Sequence, residues 1–431
     1  MAKDHPKVLM ISHNTFSETL NNGKTYSSIF KNWPKDKLAQ LYFQNEIPDF
    51  SVCKNYYKIT DENILLNKKN NVGEVVTESK KKSIEKTNSP IHSFARKKPL
   101  PLFTTLRNFL WESRKWDNEN LRNWIEKFSP DLIFFVGGGS SFSYKIVNKL
   151  SNRYNIPIFL YYTDDYITPL KKIDPFYWLN YLWLRLELNK LQKNTREVFV
   201  IGDDMAEEYK EKLNKECFPI MNAINIDNYI KIPKYNNEKD NIDIRMAYFG
   251  GLHSNRWKSL GLITEAIRNL YGDYKISLDI YSNSQPPDEI LSKINIPPYS
   301  NYKGSINADN IIKKMKEYDI LIHVESFDRK MIEKTRLSIS TKIPEYLATG
   351  IPILGIGPKE VSSIKYLSNF QHSYIIDSIG QGVVEEMLIK ISNEKDKHEK
   401  MGEQGVKLAI ENHSISKNQD LVRERLSRVM R

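Results

Sequence analysis

Short apolar runs alternate with longer amphipathic stretches along almost the whole chain. In the first half, strands are predicted for the runs KVLMIS, LAQLYF, DLIFFVG, IPIFLYY and EVFVIG. In the second half, five more are predicted for IRMAYFG, ISLDIYS, YDILIHV, IPILGIG and SYIID. Such continuous apolar runs are typical of buried parallel strands, and the stretches between them have helical periodicity. Because the alternation occurs twice, we expect an α/β fold with two Rossmann-like, doubly wound domains.

The polar pattern sets the expected domain limits. Asn- and Lys-rich sequence at 229–243 favours a linker, so the domains are predicted at 1–235 and 236–414. A basic amphipathic helix is predicted for 415–431, at the end of the chain. The segment at about 47–103 contains lysine clusters and several prolines, and we expect it to be an irregular, basic excursion of the first domain.

Composition narrows the classes of function. The 431 residues are 40% hydrophobic and 11% aromatic, which fits a globular protein. A net charge of +11 allows nucleic acid, anionic lipid or phosphorylated small molecules as partners. Two cysteines and eight scattered histidines predict neither a disulfide scaffold nor a zinc site, and they fit a reduced, cytosolic protein. No run approaches the roughly 20 apolar residues of a membrane span, so we expect a soluble or surface-attached protein.

The stretch TKIPEYLATGIPILGIG predicts a helix that begins near Lys342, just after a strand and its loop. Pro344 suits the first turn, where the free N–H groups and the helix dipole attract anions. Lys342 adds a positive charge, and Glu345 can accept hydrogen bonds from the two hydroxyls of a ribose. A phosphate beside a ribose indicates a nucleotide. An equally open interpretation is that Lys342 is solvated and Glu345 only complements the dipole.

The stretch AYFGGLHSNRWKSLGLITEAI places a glycine turn and two cations after another strand. Gly250 and Gly251 allow a close approach of the backbone to a ligand. Arg256 and Lys258 precede an amphipathic helix, and two cations beside such a turn suit a diphosphate. The alternative is an ordinary turn with solvated cations.

Together with YKGSINADNIIKKMKEYDILIHV, FVIGDDMAEEYKEKL and PIMNAINID, these stretches resemble bacterial glycosyltransferases of the two-domain GT-B fold. The resemblance is to glycosyltransferase family 4 and to family 1-like sugar transferases of polysaccharide gene clusters. The order of predicted strands and helices resembles that of the family over most of the chain, but the sequence motifs resemble it only in the C-terminal half. It implies two domains that face each other across a cleft, with the acceptor on the first and the nucleotide sugar on the second. The C-terminal helix is expected to return to the N-terminal domain.

The resemblance also implies roles for individual residues. Glu345 is expected to bind the ribose, and Arg256 and Lys258 are expected to hold the diphosphate. Gly304 and Ser305 fall where the nucleobase rests.

One position departs from the E-x7-E motif of the family. The first glutamate belongs eight positions before Glu345, where this chain has Leu337. Glu325 and Asp328 in the preceding loop are candidate replacements, and the sequence leaves this point open.

In the N-terminal half, two polar turns after predicted strands are candidates for the acceptor side. Asn22, Gly23 and Lys24 form a candidate acceptor-binding loop. Asp164 and Asp165 are candidate catalytic residues that act as a base or orient the acceptor hydroxyl. For each residue taken alone, a structural interpretation is slightly favoured. For Asn22, Gly23 and Lys24 it is a plain β–α turn, and for Asp164 and Asp165 it is a helix N-cap beside a solvated carboxylate.

The sequence therefore predicts transfer of a sugar from a nucleotide-diphosphate donor to a hydroxyl of a glycan or lipid-linked acceptor, in bacterial surface polysaccharide synthesis. The resemblance implies retention of anomeric configuration, and we expect no essential metal. The alternatives are a nucleotide-sugar 2-epimerase of the same fold and a non-catalytic GT-B partner subunit, which the absent glutamate favours. Nucleic-acid binding has only the positive charge in its favour.

The basic clusters at 80–82 and 96–98, with apolar neighbours, predict a possible attachment to the inner face of an anionic membrane. Solvated lysines are the plainer interpretation of the same clusters.

Overall fold

A computed structural model describes residues 5–17, 21–66, 72–80, 100–234, 244–380 and 382–430. The chain divides into two compact units, and the first consists of Met1–Ile220 and Ser416–Arg431. The second unit is Met221–Ile415. Each unit contains its own parallel sheet with helices, so the predicted class of two Rossmann-like α/β domains is confirmed.

The sheet of unit 1 has the order β4-β3-β2-β1-β5-β6-β7-β8, and only the β3–β4 pair is antiparallel. Its strands are β1 (Val8–Ser12), β2 (Leu38–Tyr42), β3 (Asn55–Lys58), β4 (Glu74–Val76), β5 (Leu132–Val136), β6 (Ile158–Tyr162), β7 (Thr195–Val200) and β8 (Cys217–Pro219). Its helices are α1 (Asn21–Phe30), α2 (Asp61–Leu66), α3 (Pro101–Glu112), α4 (Glu119–Phe128), α5 (Ser141–Tyr154), α6 (Pro175–Leu191) and α7 (Asp203–Leu213). The strand order reverses beside β1, whose carboxyl end is therefore a switch point where ligands of such sheets bind.

The sheet of unit 2 has the order β11-β10-β9-β12-β13-β14, and all neighbouring strands are parallel. Its strands are β9 (Ile244–Phe249), β10 (Ile276–Tyr281), β11 (Ser300–Gly304), β12 (Ile320–Val324), β13 (Ile353–Ile356) and β14 (Ser373–Ile376). Its helices are α8 (Asp227–Ile230), α9 (Arg256–Leu270), α10 (Asp288–Ile294), α11 (Ile311–Met315), α12 (Arg329–Thr335), α13 (Lys342–Thr349), α14 (Ser362–Ser368), α15 (Val383–Asn393) and α16 (His398–His413). The switch point of this sheet lies between β9 and β12.

The ten strands predicted from apolar runs all form, and the structure adds β3, β4, β8 and β11. Strands β3 and β4 lie inside the segment at 47–103 that we expected to be irregular, so this expectation was wrong for the described part of it. Tyr56 and Tyr57 of β3 are completely buried, but the flanking asparagine and lysine hide this short apolar pattern. Residues 67–71 and 81–99, with most of the lysines of this segment, lie outside the described residues, as do residues 235–243 of the predicted linker.

The C-terminal helix α17 (Ile415–Ser427) packs within unit 1 from residue 416 onwards. The Gln419 side chain donates a hydrogen bond to the carbonyl oxygen of Ser28 over 2.8 Å. Further along the helix, the Arg425 guanidinium lies 3.2 Å from the ring centre of Phe218 and forms an ion pair with Glu197. Among the described helices, none has the length and apolarity to cross a bilayer.

Helix α13, which carries Lys342 and Glu345, is held in place by close packing. The helix ends at Gly350, whose φ of 71° is the left-handed conformation that stops a helix. Helix α16 crosses this end so closely that a Cβ atom on Gly402 would lie 2.0 Å from the carbonyl oxygen of Gly350. Glycine at residue 402 therefore allows α16 to lie this close to the end of α13.

We predict that Gly402→Ala lowers the free energy of unfolding by about 2 kcal/mol or more, because the added methyl group meets backbone atoms that cannot move aside. Urea unfolding followed by circular dichroism measures the change. Gly272→Ala is the matched control, since a Cβ atom at Gly272 has no neighbour within 4 Å. Equal unfolding midpoints for the two variants would contradict the close helix crossing.

Candidate functional site

The candidate site of unit 2 begins at the carboxyl end of β9, next to the switch point. Gly250 and Gly251 form the turn there, and the hydroxyl of Tyr248 donates a hydrogen bond to the carbonyl oxygen of Gly251 over 2.8 Å. A Cβ atom on Gly250 would lie 2.5 Å from that hydroxyl oxygen, and one on Gly251 would lie 2.4 Å from the His253 ring. The packing of neighbouring aromatic rings thus requires both glycines, and their predicted contact with a donor remains a prediction.

Arg256, the first residue of α9, forms a buried ion pair with Glu325, which follows β12. The Nη2 atom of Arg256 lies 3.2 Å from each carboxylate oxygen of Glu325. The two side chains are only 19% and 4% exposed. The hydroxyl of Ser259 donates to the carbonyl oxygen of Glu325 over 3.0 Å, and Nε2 of His323 lies 3.4 Å from the carboxylate. The pair therefore joins α9 to the end of β12.

Electrostatics keep this pair ionised. Burial raises the pKa of Glu325, but the adjacent His323 imidazole and the charge of Arg256 outweigh burial and leave the pKa below its ordinary value. Burial lowers the pKa of Arg256, while the Glu325 carboxylate raises it, and the net change is upward. Both groups are therefore charged at neutral pH.

One donor of Arg256 has no hydrogen-bond acceptor. Its Nε atom is buried and makes no hydrogen bond with the described part of the chain. The Glu325 carboxylate accepts hydrogen bonds only from Nη2 of Arg256. The guanidinium can therefore bind a further anion through its other N–H groups while it keeps this partner. Buried polar atoms without partners are uncommon in native proteins, and an unoccupied ligand site is one explanation for them.

The second predicted cation, Lys258, has an exposed partner. Its Nζ atom lies 3.0 Å from Asp328, and the two side chains are 50% and 36% exposed. Asn255 also donates to Asp328. Glu325 and Asp328, the candidate replacements for the missing glutamate, therefore each form an ion pair with one of the two cations that were predicted to hold the diphosphate. The position of that glutamate is filled by Leu337, which is buried.

Lys342 and Glu345 lie next to the same strand end. Lys342 begins α13, and its Nζ atom lies 2.8 Å from the buried carboxylate of Glu345. The hydroxyl of Tyr346 accepts a hydrogen bond from the backbone N–H of Phe249 and donates one to its carbonyl oxygen, over 3.0 and 3.1 Å. Helix α13 is therefore tied, through its fifth residue, to the residue that precedes the glycine turn.

The buried phenol of Tyr346 thus contacts the residue before the glycine turn. Its pKa is raised mainly by burial and further by the Tyr248 and Glu345 groups, while its hydrogen bond with the Phe249 backbone and the charge of Arg256 lower it. Tyr346 therefore links α13 to the end of β9. The sequence gives no signal for this role of Tyr346, because its bonding partner is 97 residues away in the chain.

The predicted nucleobase position is less closely connected to these residues. Gly304 ends the edge strand β11 with a φ of 74°, and its carbonyl oxygen accepts the backbone N–H of Ser282 over 2.9 Å. Ser305 follows and is exposed. Strand β10 separates this turn from β9, so Gly304 and Ser305 lie at the sheet edge rather than at the switch point.

In unit 1, the residues predicted as an acceptor loop, Asn22, Gly23 and Lys24, lie in the first turn of α1 rather than in a loop, and they meet the predicted catalytic turn. The Asn22 amide donates a hydrogen bond to the Thr163 hydroxyl over 3.1 Å, directly before Asp164. Gly23 is required by packing, since a Cβ atom there would lie 2.4 Å from the carbonyl oxygen of Thr15. Lys24 is exposed on the same helix.

The structure separates the two aspartates by role. Asp165 accepts hydrogen bonds from the backbone N–H groups of Ile167 and Thr168 over 3.1 and 3.0 Å, and from the Tyr209 hydroxyl over 2.8 Å. These bonds make Asp165 part of the turn itself. Asp164 and Asp165 are both partly exposed, and Asp164 lies beside Tyr166. Because the hydrogen bonds of Asp165 hold the turn, Asp164 is the better candidate of the two carboxylates to meet a ligand.

His13, which follows β1, lies at the switch point of unit 1. Its ring centre is 5.6 Å from that of Phe43 and 5.5 Å from that of Phe142. A Cβ atom on Gly138 would lie 3.1 Å from the His13 ring. Burial, helped by the positive charge of Arg107, lowers the pKa of His13 to about 3. The imidazole is therefore neutral throughout the physiological range.

No metal centre accompanies these residues: in the described ranges, no group of three or more His, Cys, Asp or Glu side chains is arranged to hold a metal ion.

Comparison with known proteins identifies the fold. No protein-family model matches the sequence, and no curated protein matches it either. Solved structures do match over nearly the whole chain. HepE from Anabaena, in complex with UDP and glucose, is 12% identical, covers 98% of this chain and 100% of its own, and has a TM-score of 0.58. A glycosyltransferase from Rickettsia africae is 12% identical, with 99% of each chain covered and a TM-score of 0.63.

A sucrose-phosphate synthase from Thermosynechococcus elongatus is 11% identical, with 98% of each chain covered and a TM-score of 0.62. The chain therefore has the GT-B fold, as the resemblance of its C-terminal motifs implied. At these identities the likeness establishes the fold, and the chemistry must be argued from the site.

We predict that Glu325→Gln lowers the free energy of unfolding by roughly 3 kcal/mol at pH 7, because the substitution leaves the Arg256 charge buried without its counter-ion. Asp328→Asn is the matched control and is expected to cost less than about 1 kcal/mol, since its pair with Lys258 is exposed. Urea unfolding of both variants measures the difference. Equal losses in the two variants would show that the Arg256–Glu325 pair is not the buried contact described here.

We also predict a pH effect from His13. Its folded pKa of about 3 lies below the ordinary value of 6.5, so the unfolded chain takes up a proton first as the pH falls. The contribution to stability is complete above pH 6.5 and is lost as the pH drops towards 3. When the pH falls from 7.0 to 5.5, the free energy of unfolding of the wild-type protein should decrease by about 1 kcal/mol more than that of His13→Gln. Urea unfolding at the two pH values measures both changes. Parallel losses in the two proteins would contradict an imidazole of His13 that stays neutral in the folded protein.

Proposed function

We propose that the protein is a glycosyltransferase that moves a sugar from a nucleotide-diphosphate donor to a hydroxyl of a glycan or lipid-linked acceptor. The observation that carries this proposal is the buried, unpartnered Nε atom of Arg256, beside the glycine turn at the switch point of unit 2. A guanidinium with a free donor in a parallel-sheet switch point suits a phosphate oxygen. The GT-B fold adds support, because HepE was solved with UDP and glucose.

The donor's charged groups have matching partners in unit 2. Arg256 binds the diphosphate through its remaining donors, while Glu325 holds the guanidinium in place. Lys342 and the first turn of α13 supply further positive potential, and Glu345 accepts hydrogen bonds from the ribose hydroxyls. As the glycosidic bond to the sugar breaks, negative charge grows on the leaving diphosphate, and these groups stabilise it.

The acceptor belongs to unit 1 in this proposal. Asp164 orients the attacking hydroxyl or accepts its proton, and the Asn22–Thr163 hydrogen bond positions the start of α1 beside it. Asp165 keeps the turn in shape through its backbone hydrogen bonds. We propose that transfer retains the anomeric configuration and needs no essential metal.

We place the reaction in bacterial surface polysaccharide synthesis, on the cytoplasmic side of an anionic membrane. The net charge of +11 supports this location, because it favours a surface of acidic lipids.

A second candidate function rests on one specific residue. Leu337 occupies the position of the first glutamate of the family motif and is buried, so no carboxylate is available there for the donor sugar. A non-catalytic partner subunit would bind the nucleotide without turning it over. Nucleotide binding by the purified protein, with transfer only after a second protein is added, would select this alternative.

We predict that UDP or another nucleoside diphosphate raises the melting temperature of the protein, and that Lys342→Ala and Glu345→Ala each weaken its binding at least tenfold. The reason is that a ligand stabilises the folded state in proportion to its affinity, and each variant removes a direct contact. Calorimetric titration gives the affinities, and release of nucleoside diphosphate from nucleotide sugars gives the turnover.

The control is Lys397→Ala, which removes an exposed lysine paired with Glu394. Unchanged affinity and turnover in both α13 variants would overturn the assignment of the donor site.

A further inference from the structure

Two adjoining helices of unit 1 expose large apolar side chains. On α3 these are Leu102, Phe103, Leu106 and Phe109, with exposed fractions of 41, 49, 54 and 56%. On α6 they are Trp178, Leu182 and Leu186, at 39, 56 and 57%. We refer to these seven side chains as the apolar face. Single exposed apolar residues are common on proteins, but a concentration of this kind marks an interaction surface.

Helix α3 has the reverse of the usual amphipathic pattern. Its inward positions include the buried polar residues Thr105 and Asn108, beside Trp111. The exposed positions of the same helix are leucine and phenylalanine apart from its last residue, Glu112. Thr105 and Asn108 are hydrogen bonded to Asn180 over 2.9 Å each, while Oδ1 of Asn108 has no hydrogen-bond partner in the described part of the chain. The buried side of α3 is therefore a polar contact with α6, and its apolar side chains are the exposed ones.

Helix α6 exposes its apolar residues in a regular row. Trp178, Leu182 and Leu186 follow each other at four-residue spacing, on the side opposite the buried Leu184 and Leu188. A helix that is apolar on both sides requires a second apolar environment.

The two outward sides form one surface. The Asn180 side chain of α6 donates to the carbonyl oxygen of Pro101 in α3 over 2.9 Å. Further along, the rings of Phe109 and Trp183 meet edge to face, with centres 5.1 Å apart. The helices are thus in contact over more than one turn, and Phe109 of the apolar face reaches α6 through Trp183.

The polar atoms near the apolar face already have partners. The Trp178 indole N–H donates to the carbonyl oxygen of Lys172 over 2.7 Å. The Tyr177 hydroxyl accepts the backbone N–H of Leu170, and the Tyr181 hydroxyl donates to the carbonyl oxygen of Ile167. A partner that offers no hydrogen bonds, such as lipid hydrocarbon, leaves none of these groups unsatisfied.

Charge completes the description of this surface. Exposed lysines precede α6, at Lys171 and Lys172, and the exposed Glu112 at the end of α3 is paired with Lys145. The Lys172 ammonium lies 4.8 Å from the ring centre of Tyr177. Lysines and tryptophan beside an apolar surface fit the headgroup region of an acidic bilayer, and the chain carries a net charge of +11.

We propose that the apolar face inserts into the surface of a membrane that contains anionic phospholipid, with Lys171 and Lys172 at the headgroups. The proposal deepens the location given under the proposed function by naming the residues that make the contact. It uses α3 and α6 rather than the lysine clusters that lie outside the described residues. Vesicle binding needs no turnover, so it can succeed or fail independently of sugar transfer.

The test is flotation of the purified full-length protein with vesicles of phosphatidylcholine alone or with about one third phosphatidylglycerol. The first variant combines Leu106→Gln, Leu182→Gln and Leu186→Gln, since glutamine preserves helix propensity. The matched control is Ile410→Gln, a helical residue of unit 2 that is 50% exposed. Circular dichroism and a cooperative urea unfolding transition confirm that each variant is folded.

We expect wild-type protein and Ile410→Gln to float with the anionic vesicles, and the triple variant to bind at least tenfold less. Lys171→Gln with Lys172→Gln should weaken binding to anionic vesicles severalfold and have little effect on phosphatidylcholine vesicles. Equal binding by wild type and a folded triple variant would overturn the proposal. So would a wild-type dimer in light scattering that the triple variant abolishes, because the face would then be an interface between copies of the chain.

Discussion

The candidate donor site depends on one constraint: a guanidinium buried at a helix start must keep a counter-ion. Arg256 meets this constraint through Glu325, and the pair connects α9 with the end of β12 on the two sides of the switch point. A buried pair of this kind is costly to desolvate, so it is weak evidence for stability alone. The role of the pair is to position the Arg256 guanidinium beside the glycine turn, with its Nε donor unpartnered. In the proposed function, the diphosphate binds there.

The same constraint accounts for the residues around the pair. Tyr346 ties α13 to the end of β9, and the Gly350–Gly402 crossing fixes the other end of that helix. Lys342 and Glu345 therefore reach the site on a short, nearly rigid helix. The buried Leu337 removes one carboxylate from this group, and Glu325 is committed to Arg256. In the proposed function, the donor sugar is therefore held by groups other than a carboxylate at residue 337.

Sequence reasoning predicted the parts of the fold that apolar periodicity encodes. The buried strands of both sheets were readable because each is a continuous apolar run between polar turns. Strand β3 was missed because its two buried tyrosines are flanked by polar residues. The partners of Arg256 and Tyr346 were also beyond prediction, since 69 and 97 residues separate them in the chain. The inverted polarity of α3 was hidden too, because a pattern of apolar positions does not say which side of a helix faces inward.

Hydrogen–deuterium exchange with and without saturating UDP tests the central claim most directly, because it locates the nucleotide without any substitution. The account predicts slower exchange at residues 250–258 and 342–349 of unit 2 when UDP is bound, with unchanged exchange in helix α7 of unit 1. Protection confined to other segments, or no change at the turn after β9 under saturating UDP, would contradict it.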